Sequence, residues 1–581
     1  MAPEQIAARL GDRFQLLTGG SRTAMPRHQT LRAVVDWSWD LLDDAERALW
    51  RRFSVFAGGA TLEAAEQVCS GSGLPAGQIL DLLTALADKS LLTVRHDPGG
   101  PRYRMLEIIK AYGQERLAEA GEPGEFRAAH ARYFTRLAEA SPAHLRGADQ
   151  LVWLRKLSDD QDNLHAAIRG AVAAGDGPAA VRLAAALGWY WWLRSMRLEG
   201  SDLIAEALEV PASADAGSEA LAVAYAMGAP LAADTPRNHQ VREWFDRATE
   251  LAARVPGGDN PILKLIGPIS MLFSTERVPA DPGVFDEAVD DPHPWVRTTA
   301  LALRAHTTLN LGRSQAAAEA DFLAAIGIAS TVGDRWGQAL ALSGLAMLES
   351  WRGEHAAAAS SYRRAAEFGA ELGTTADELE FRILLARELW ALGQRDQARA
   401  GLSRAQRGAE RLGLPHVLAF AACTAGDLAR RGGEPEAARA ALTLALDLSA
   451  QPGGVRQIRA VTATALGYLA GAEGDLDEAR RWHAEAVQTA RASADGPVIA
   501  QTLTGLADLA VREGNPARAA GLLGASFAIR GATDRSVHDE ERVAAQARSV
   551  LGEARYGEEY QRGQRVTMDT LAALIDVTPG A

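Results

Sequence analysis

Four cations gather in one short stretch of the chain: Lys89, Arg95, Arg102 and Arg104. Ammonium and guanidinium groups beside a tight turn are what a protein uses to hold the phosphate oxygens of a nucleic-acid backbone. The helix expected just before them, running from Gln78 toward Lys89, tells against base reading. It carries Asp81 and Asp88 against the single Lys89. Two carboxylates facing phosphates cost more than one lysine returns. Lys89, Arg95, Arg102 and Arg104 are thus the candidates for nucleic-acid contact, with His96 beside them on the wing, and an interdomain role for the surrounding module is the favoured reading.

Other groupings have plainer readings. Trp189-Tyr190-Trp191-Trp192 offers aromatic faces on which a ligand or base could stack. Consecutive helical residues point in different directions, however, so core packing is favoured. The pairs Arg51-Arg52, Arg363-Arg364, Arg430-Arg431 and Arg480-Arg481 lie near expected helix ends, where most such pairs serve the helix terminus and solvation. A minority would line a groove for an acidic peptide or a phosphorylated ligand. The twelve histidines are scattered, and Asp159-Asp160 and Asp290-Asp291 read as caps and loops rather than acid–base dyads. His-Glu-x-x-His, Cys-x-x-Cys, Gly-x-Ser-x-Gly and Gly-x-x-x-x-Gly-Lys-Ser/Thr do not occur. The expectation is a non-enzyme with no catalytic, cofactor or metal residues.

The elements that would position these side chains fall into two kinds. Residues 28–120 read as helices followed by a hairpin. The first helix runs from about Thr30 to Leu42, and Asp43 or Asp44 caps a second that reaches Phe56. Thr61 caps a third, and a fourth covers Ala76 to Ala87. Two β-like runs, Ser90–Arg95 and Arg102–Leu106, are joined by the turn Asp97-Pro98-Gly99-Gly100-Pro101. Helices and then a hairpin make a winged helix, with the hairpin as wing.

Beyond residue 125 a period takes over. Gly312, Gly353, Gly393, Gly433, Gly474 and Gly514 each sit in a short polar break between Ala/Leu-rich helical stretches, 40 or 41 residues apart. This is the signature of a solenoid of helical hairpins, each of which buries its apolar face only by stacking on the next. Such a chain presents a long surface to a partner. Between Pro211 and Pro294 further prolines blur the rhythm, and the segment 531–581 breaks it and is expected to cap the open end.

At 581 residues with a net charge of −13 the chain is too long for one core, and an acidic solenoid repels nucleic acid unless one face concentrates cations. Cys69 and Cys423, far apart in apolar stretches, read as small core residues in a reducing compartment. No apolar run reaches the ~20 residues of a membrane span, so a cytoplasmic location is expected.

Several stretches resemble one group of proteins. They are Gln29-Thr-Leu-Arg-Ala-Val-Val-Asp-Trp-Ser-Trp-Asp-Leu-Leu, Arg51-Arg-Phe-Ser-Val-Phe-Ala-Gly-Gly-Ala, Leu86-Ala-Asp-Lys-Ser-Leu-Leu and Tyr103-Arg-Met-Leu-Glu-Ile-Ile-Lys-Ala-Tyr. With Leu187-Gly-Trp-Tyr-Trp-Trp-Leu-Arg and Ala519-Ala-Gly-Leu-Leu-Gly-Ala, they look like the C-terminal half of large actinobacterial transcriptional regulators. These are the AfsR/SARP and LuxR-like types of the signal-transduction ATPase (NB-ARC-like) class. The resemblance implies a nucleotide-binding or effector part first, then a winged helix, then tetratricopeptide-type repeats acting as sensor. Residues 1–27 look like the last helix of the nucleotide-domain lid and a linker. This implies a truncated gene, a stand-alone version or a misassigned start. Where relatives present a Met-His-Asp-type motif to the nucleotide, this chain has Met105-Leu106-Glu107, which weakens any nucleotide role.

The expected architecture is thus all-α: lid remnant 1–27, winged helix 28–120, irregular helical repeats 121–295, regular repeats 296–530 in a right-handed superhelix, and a helical cap 531–581. The expected function is regulatory, through a protein or peptide partner on the repeats, a full-length paralogue among the candidates. The alternative is a DNA-binding transcription factor acting through the winged helix; no membrane role is expected.

Overall fold

A capping box opens the second helix of the chain. The Asp43 side chain accepts from the Glu46 amide at 2.8 Å, while the Glu46 carboxylate accepts from the Asp43 amide at 3.1 Å. Two amides that the helix cannot satisfy internally are thereby paired. The computed structural model describes residues 31–571, apart from 98, 234, 256–257, 274–281, 452–453, 494, 537 and 569. The lid remnant expected at 1–27 lies outside the described residues.

The winged helix comprises α1 (Leu31–Asp40), α2 (Asp44–Phe53), α3 (Leu62–Cys69), α4 (Ile79–Asp88) and α5 (Glu107–Glu119), with strands β1 (Ala60–Thr61), β2 (Thr93–Asp97) and β3 (Gly100–Arg104). Helix α2 stops at Phe53, short of the expected Phe56. Thr61 caps α3 as expected, accepting from the Ala64 amide. Leu49, Trp50 and Phe53 of α2 are buried with Leu83 and Leu86 of α4. The hairpin is present, but the sheet has three strands in the order β1-β3-β2, all antiparallel. The sequence reading did not anticipate β1, which is only two residues long. It is admitted by Gly59, with φ +85°, where a Cβ would stand 2.3 Å from the Tyr103 carbonyl oxygen.

By its internal contacts the chain divides into two units. One takes residues up to 142 together with 152–187 and 203–217; the other takes 143–151, 188–202 and 218 onward. Besides the winged helix, the first unit draws on α6 (Pro123–His144), α7 (Gln150–Asp159), α8 (Gln161–Ala173), α9 (Gly177–Leu193) and α10 (Arg197–Leu208). In the second, the proline-rich region forms α11 (Ser218–Ala232), α12 (Val241–Ala252) and α13 (Ile266–Phe273).

Six helical hairpins follow: α14 (Pro294–Asn310) and α15 (Gln315–Val332), α16 (Arg335–Trp351) and α17 (His355–Leu372), α18 (Thr375–Ala391) and α19 (Arg395–Leu412), α20 (Pro415–Arg431) and α21 (Pro435–Ser449), α22 (Arg456–Glu473) and α23 (Leu476–Ser493), α24 (Gly496–Arg512) and α25 (Pro516–Arg530). Each of the six periodic glycines has positive φ, between +63° and +89°. The residue after each donates its amide back five positions, as from Glu354 to Glu349 and from Gln394 to Leu389. That 6→1 bond is the helix-ending motif in which glycine takes the left-handed conformation without penalty. A second set, Gly333, Gly373 and Gly413, ends α15, α17 and α19 in the same way. The hairpins pack closely because one helix supplies a glycine where its neighbour supplies a bulky ring or branch. A Cβ on Gly344 would lie 2.2 Å from the Phe322 ring, and one on Gly426 2.5 Å from Leu442.

After the last hairpin come α26 (His538–Leu551) and α27 (Glu553–Gly563). Val543, Ala547 and Tyr556 from these helices share a buried cluster with Leu503, Leu506, Leu522 and Leu523. At the other end of the same unit, a Cβ on Gly312 would lie 2.2 Å from the Ile529 carbonyl oxygen. The first repeat turn therefore abuts the end of the last repeat.

Candidate functional site

A cavity of about 240 Å³ opens in the second unit among the first helices of successive hairpins. Helices α18, α20, α22 and α24 each contribute to its wall, and the start of α26 closes one side. The 40-residue period makes this arrangement: residues at equivalent places in successive first helices come to one face. Phe420, Ile458, Val461 and Val498 provide apolar wall.

The polar part of the lining is built around Arg430. Its guanidinium lies 2.7 Å from Asp427 and 2.6 Å from Asp539, and stands 4.7 Å over the Tyr468 ring. Asp539 also receives Arg542 at 2.9 Å; Arg542 reaches Asp508 at 2.7 Å, and Asp508 in turn receives Arg512 at 2.7 Å. This alternating chain of charge ties α20, α24 and α26 together. Burial works against the Asp539 carboxylate, but Arg430 and Arg542 prevail and hold its pKa down at about 2. The arginine pair Arg430-Arg431, read from sequence as helix-terminal, thus sends Arg430 into a network.

Two lining groups stay outside that network. Tyr468, 4% exposed, has a hydroxyl with no hydrogen-bond partner among the described residues. Burial first, and then Asp539 and Asp508, push its pKa well above the ordinary tyrosine value, so it stays protonated and a donor. Arg387 has neither a hydrogen bond nor an ion pair among the described residues. Its pKa is raised: burial opposes its charge, but Glu388, Tyr362 and Asp427 outweigh that. Neither residue was singled out by sequence reading; their alignment through the repeat period was the available signal.

The residues expected to touch nucleic acid are dispersed by the fold. Lys89 forms an ion pair with Glu46. Arg95 is exposed and lies 3.9 Å from Asp159. Arg104 is exposed on β3. Arg102 is 7% exposed and turns inward to Asp160 at 2.5 Å and to the Gly59 carbonyl at 3.3 Å. Asn163 completes this buried cluster: its amide nitrogen donates to Gly59 and Asp160, and its oxygen accepts from the Ala57 amide at 2.8 Å. On α4, Leu80, Asp81, Thr84 and Asp88 are exposed.

The remaining sequence candidates fall into packing roles. Trp189, Tyr190 and Trp191 are buried; the Trp189 ring meets Trp295 and Trp336 edge-on at 5.0 and 4.8 Å. Arg52 is 1% exposed and donates to the carbonyls of Cys69, Gly71 and Ser72. Asp291 pairs with Lys264 at 2.8 Å and accepts from the His293 amide. Cys69 and Cys423 are free and buried. Among the described residues no cluster of His, Cys, Asp or Glu could hold a metal, and no helix is long and apolar enough to cross a membrane.

Comparison with known proteins agrees with this architecture. Residues 42–118 match a family model described as a winged helix-turn-helix domain, and residues 459–532 match a tetratricopeptide repeat. The chain is similar to HTH-type regulators. It is 38% identical over 236 residues to a "Putative HTH-type transcriptional regulator" of Mycobacterium tuberculosis and equally to one of Mycobacterium bovis. The match spans 40% of this chain and 26% of each relative's length. An uncharacterized protein of Mycobacterium tuberculosis is 39% identical over 123 residues, 21% of this chain and 31% of that protein.

Among solved structures, a signal-transduction ATPase with a tetratricopeptide-repeat sensor from Pyrococcus horikoshii is 13% identical. It covers 97% of this chain and 72% of its own, with a TM-score of 0.33. A Rap protein complexed with competence and sporulation factor is 14% identical, covering 62% of this chain and 99% of its own at a TM-score of 0.42.

Proposed function

We propose that this chain is the sensor and protein-interaction part of a transcriptional regulator of the signal-transduction ATPase class, akin to the AfsR/SARP and LuxR-like types. Its repeats bind a protein or ligand, and the winged helix relays that event. The reading gives the chain no reaction of its own to perform and places it in the cytoplasm. The observation that carries it is the cavity walled by the first helices of successive hairpins, where Arg387 and Tyr468 keep unused hydrogen-bonding capacity. The first partner to test is a full-length paralogue bearing an ATPase. The test is affinity capture from the native cell extract by the full chain, beside a Gln457→Arg/Gln501→Arg variant that fills the cavity. Recovery of nothing above background, or identical recovery by both baits, counts against the reading.

The second reading is direct DNA binding through the winged helix, favoured by the kinship to HTH-type regulators and by the exposed Arg95, His96 and Arg104. Specific retardation of genomic fragments by the full chain, weakening as salt rises, would place it first.

A further inference from the structure

We infer that the cavity walled by α18, α20, α22 and α24 binds a small organic acid of single negative charge that also carries a hydrogen-bond acceptor. The inference rests on the sensor reading above and names the ligand chemistry. Three guanidiniums line the cavity, Arg387, Arg430 and Arg431, against two carboxylates, Asp427 and Asp539. Arg430 is held by both carboxylates, and Arg431 lies 3.9 Å from Asp427. Among the lining side chains the guanidiniums thus outnumber the carboxylates by one, and Arg387 is the one with no direct hydrogen bond or ion pair among the described residues, Glu388, Asp427 and Asp534 acting on it only at longer range. A guanidinium set in a partly dry wall favours a carboxylate, which its fork geometry matches.

The second requirement comes from Tyr468. Tyr468 lines the cavity, and its hydroxyl is buried with no hydrogen-bond partner among the described residues. A buried donor left unsatisfied costs about 1–3 kcal/mol, so an acceptor that reaches it gains affinity without displacing a protein contact. The apolar wall of Phe420, Ile458, Val461 and Val498 calls for a hydrocarbon body. The size favours a small ligand: 240 Å³ falls below the roughly 300–1,000 Å³ of sites that enclose drug-sized molecules. A phosphate ester, with about two charges, would leave one charge uncompensated in a half-dry site.

N-Acetyl-leucine and N-acetyl-phenylalanine carry one carboxylate, one amide carbonyl and an apolar side chain, so they serve as probes. Their uncharged amides and inorganic phosphate are the controls. Calorimetry on the full chain should show saturable binding of an acid, at least tenfold weaker binding of its amide, and no comparable binding of phosphate. Arg387→Gln should weaken the acid at least tenfold and reduce the preference for acid over amide. Tyr468→Phe should weaken acid and amide alike, by about threefold to tenfold, because it removes only the acceptor's partner. An unchanged thermal melt of each variant keeps the comparison to binding. No saturable binding of any acid at millimolar concentration, equal binding of acid and amide, or phosphate binding more tightly would each overturn the inference. The affinity-capture result stands apart from these outcomes, since a protein partner can be recovered by a chain that ignores small acids.

Discussion

The Arg102 guanidinium meets the Asp160 carboxylate at 2.5 Å, with both side chains less than a tenth exposed. A residue at the foot of the wing is thereby joined to the turn between α7 and α8, 58 positions further along. Asn163 binds the same carboxylate and the same Gly59 carbonyl, so the pair is hydrogen-bonded as well as charged. That arrangement anchors one strand of the wing in the first unit's interior.

Breaking this pair from one side leaves a buried charge without its partner. Arg102→Ala is expected to cost about 3–5 kcal/mol, and Asp160→Ala a similar amount, with a double variant losing less than the sum. Urea denaturation followed by the signal of the first unit measures this. Additive losses would show that the two side chains act independently.

Glycines of the two structural classes should respond differently to alanine. Gly393 has φ +78° and open space about its would-be Cβ, so Gly393→Ala pays only left-handed strain, about 1–2 kcal/mol. Gly344 has no such strain but faces the Phe322 ring at 2.2 Å. Gly344→Ala must move the ring or separate two helices, at about 1–3 kcal/mol or more. A second change, Phe322→Leu, should rescue Gly344→Ala and leave Gly393→Ala unimproved in thermal melts.

Acid should weaken the fold before the carboxylates titrate. Burial lowers the pKa of His130, His306 and His483 to about 4 each. The unfolded chain takes up these protons near the usual histidine value of about 6.5, while the folded chain refuses them. Stability is therefore lost as pH falls from about 6.5 toward 4, by roughly 1–3 kcal/mol for each histidine. His483→Leu should flatten its share of that slope in denaturant midpoints measured between pH 7 and 4.

Asp334 should act in the opposite direction. It occupies the N-cap position of α16 and accepts from Gln150 at 3.2 Å. Burial raises its pKa to about 6, against backbone amides and Gln150 that lower it. The folded state holds this proton more tightly, so its contribution is complete below about pH 4 and lost as pH rises through about 6. Relative to the native chain, Asp334→Asn should gain about 1–3 kcal/mol between pH 4 and pH 7. Parallel stability curves for the two proteins would remove Asp334 from the account.

Local signals were readable wherever the physics was local. Asp43 and Thr61 act as caps because a short side-chain oxygen beside a free amide needs nothing from elsewhere in the chain. The β-hairpin around Asp97–Gly100 was visible for the same reason, whereas β1 was not. Two residues have no pattern, and Ala60-Thr61 becomes a strand only because β3 arrives beside it. The cation cluster misled in part. Lys89, Arg95, Arg102 and Arg104 are neighbours in sequence, and Arg102 and Arg104 share one face of β3, but Asp160 covers Arg102 while Arg104, at the strand end, stays exposed.

The chain's own residues determined that it would be a winged helix followed by stacked helical hairpins. A glycine every 40 or 41 residues, each followed by a helix start, allows few other outcomes, because the left-handed turn is cheap for glycine alone. Only the tertiary structure decided which charges are spent on one another and which are left over. Arg387, Arg430 and Tyr468 come from the first helices of three successive hairpins, and their shared wall exists only once those hairpins have stacked. Asp539, more than a hundred residues beyond Arg430, then pairs with Arg430, while Arg387 has no direct ion pair among the described residues. Pairing of charge depends on distance through space, which the order of residues along the chain does not encode.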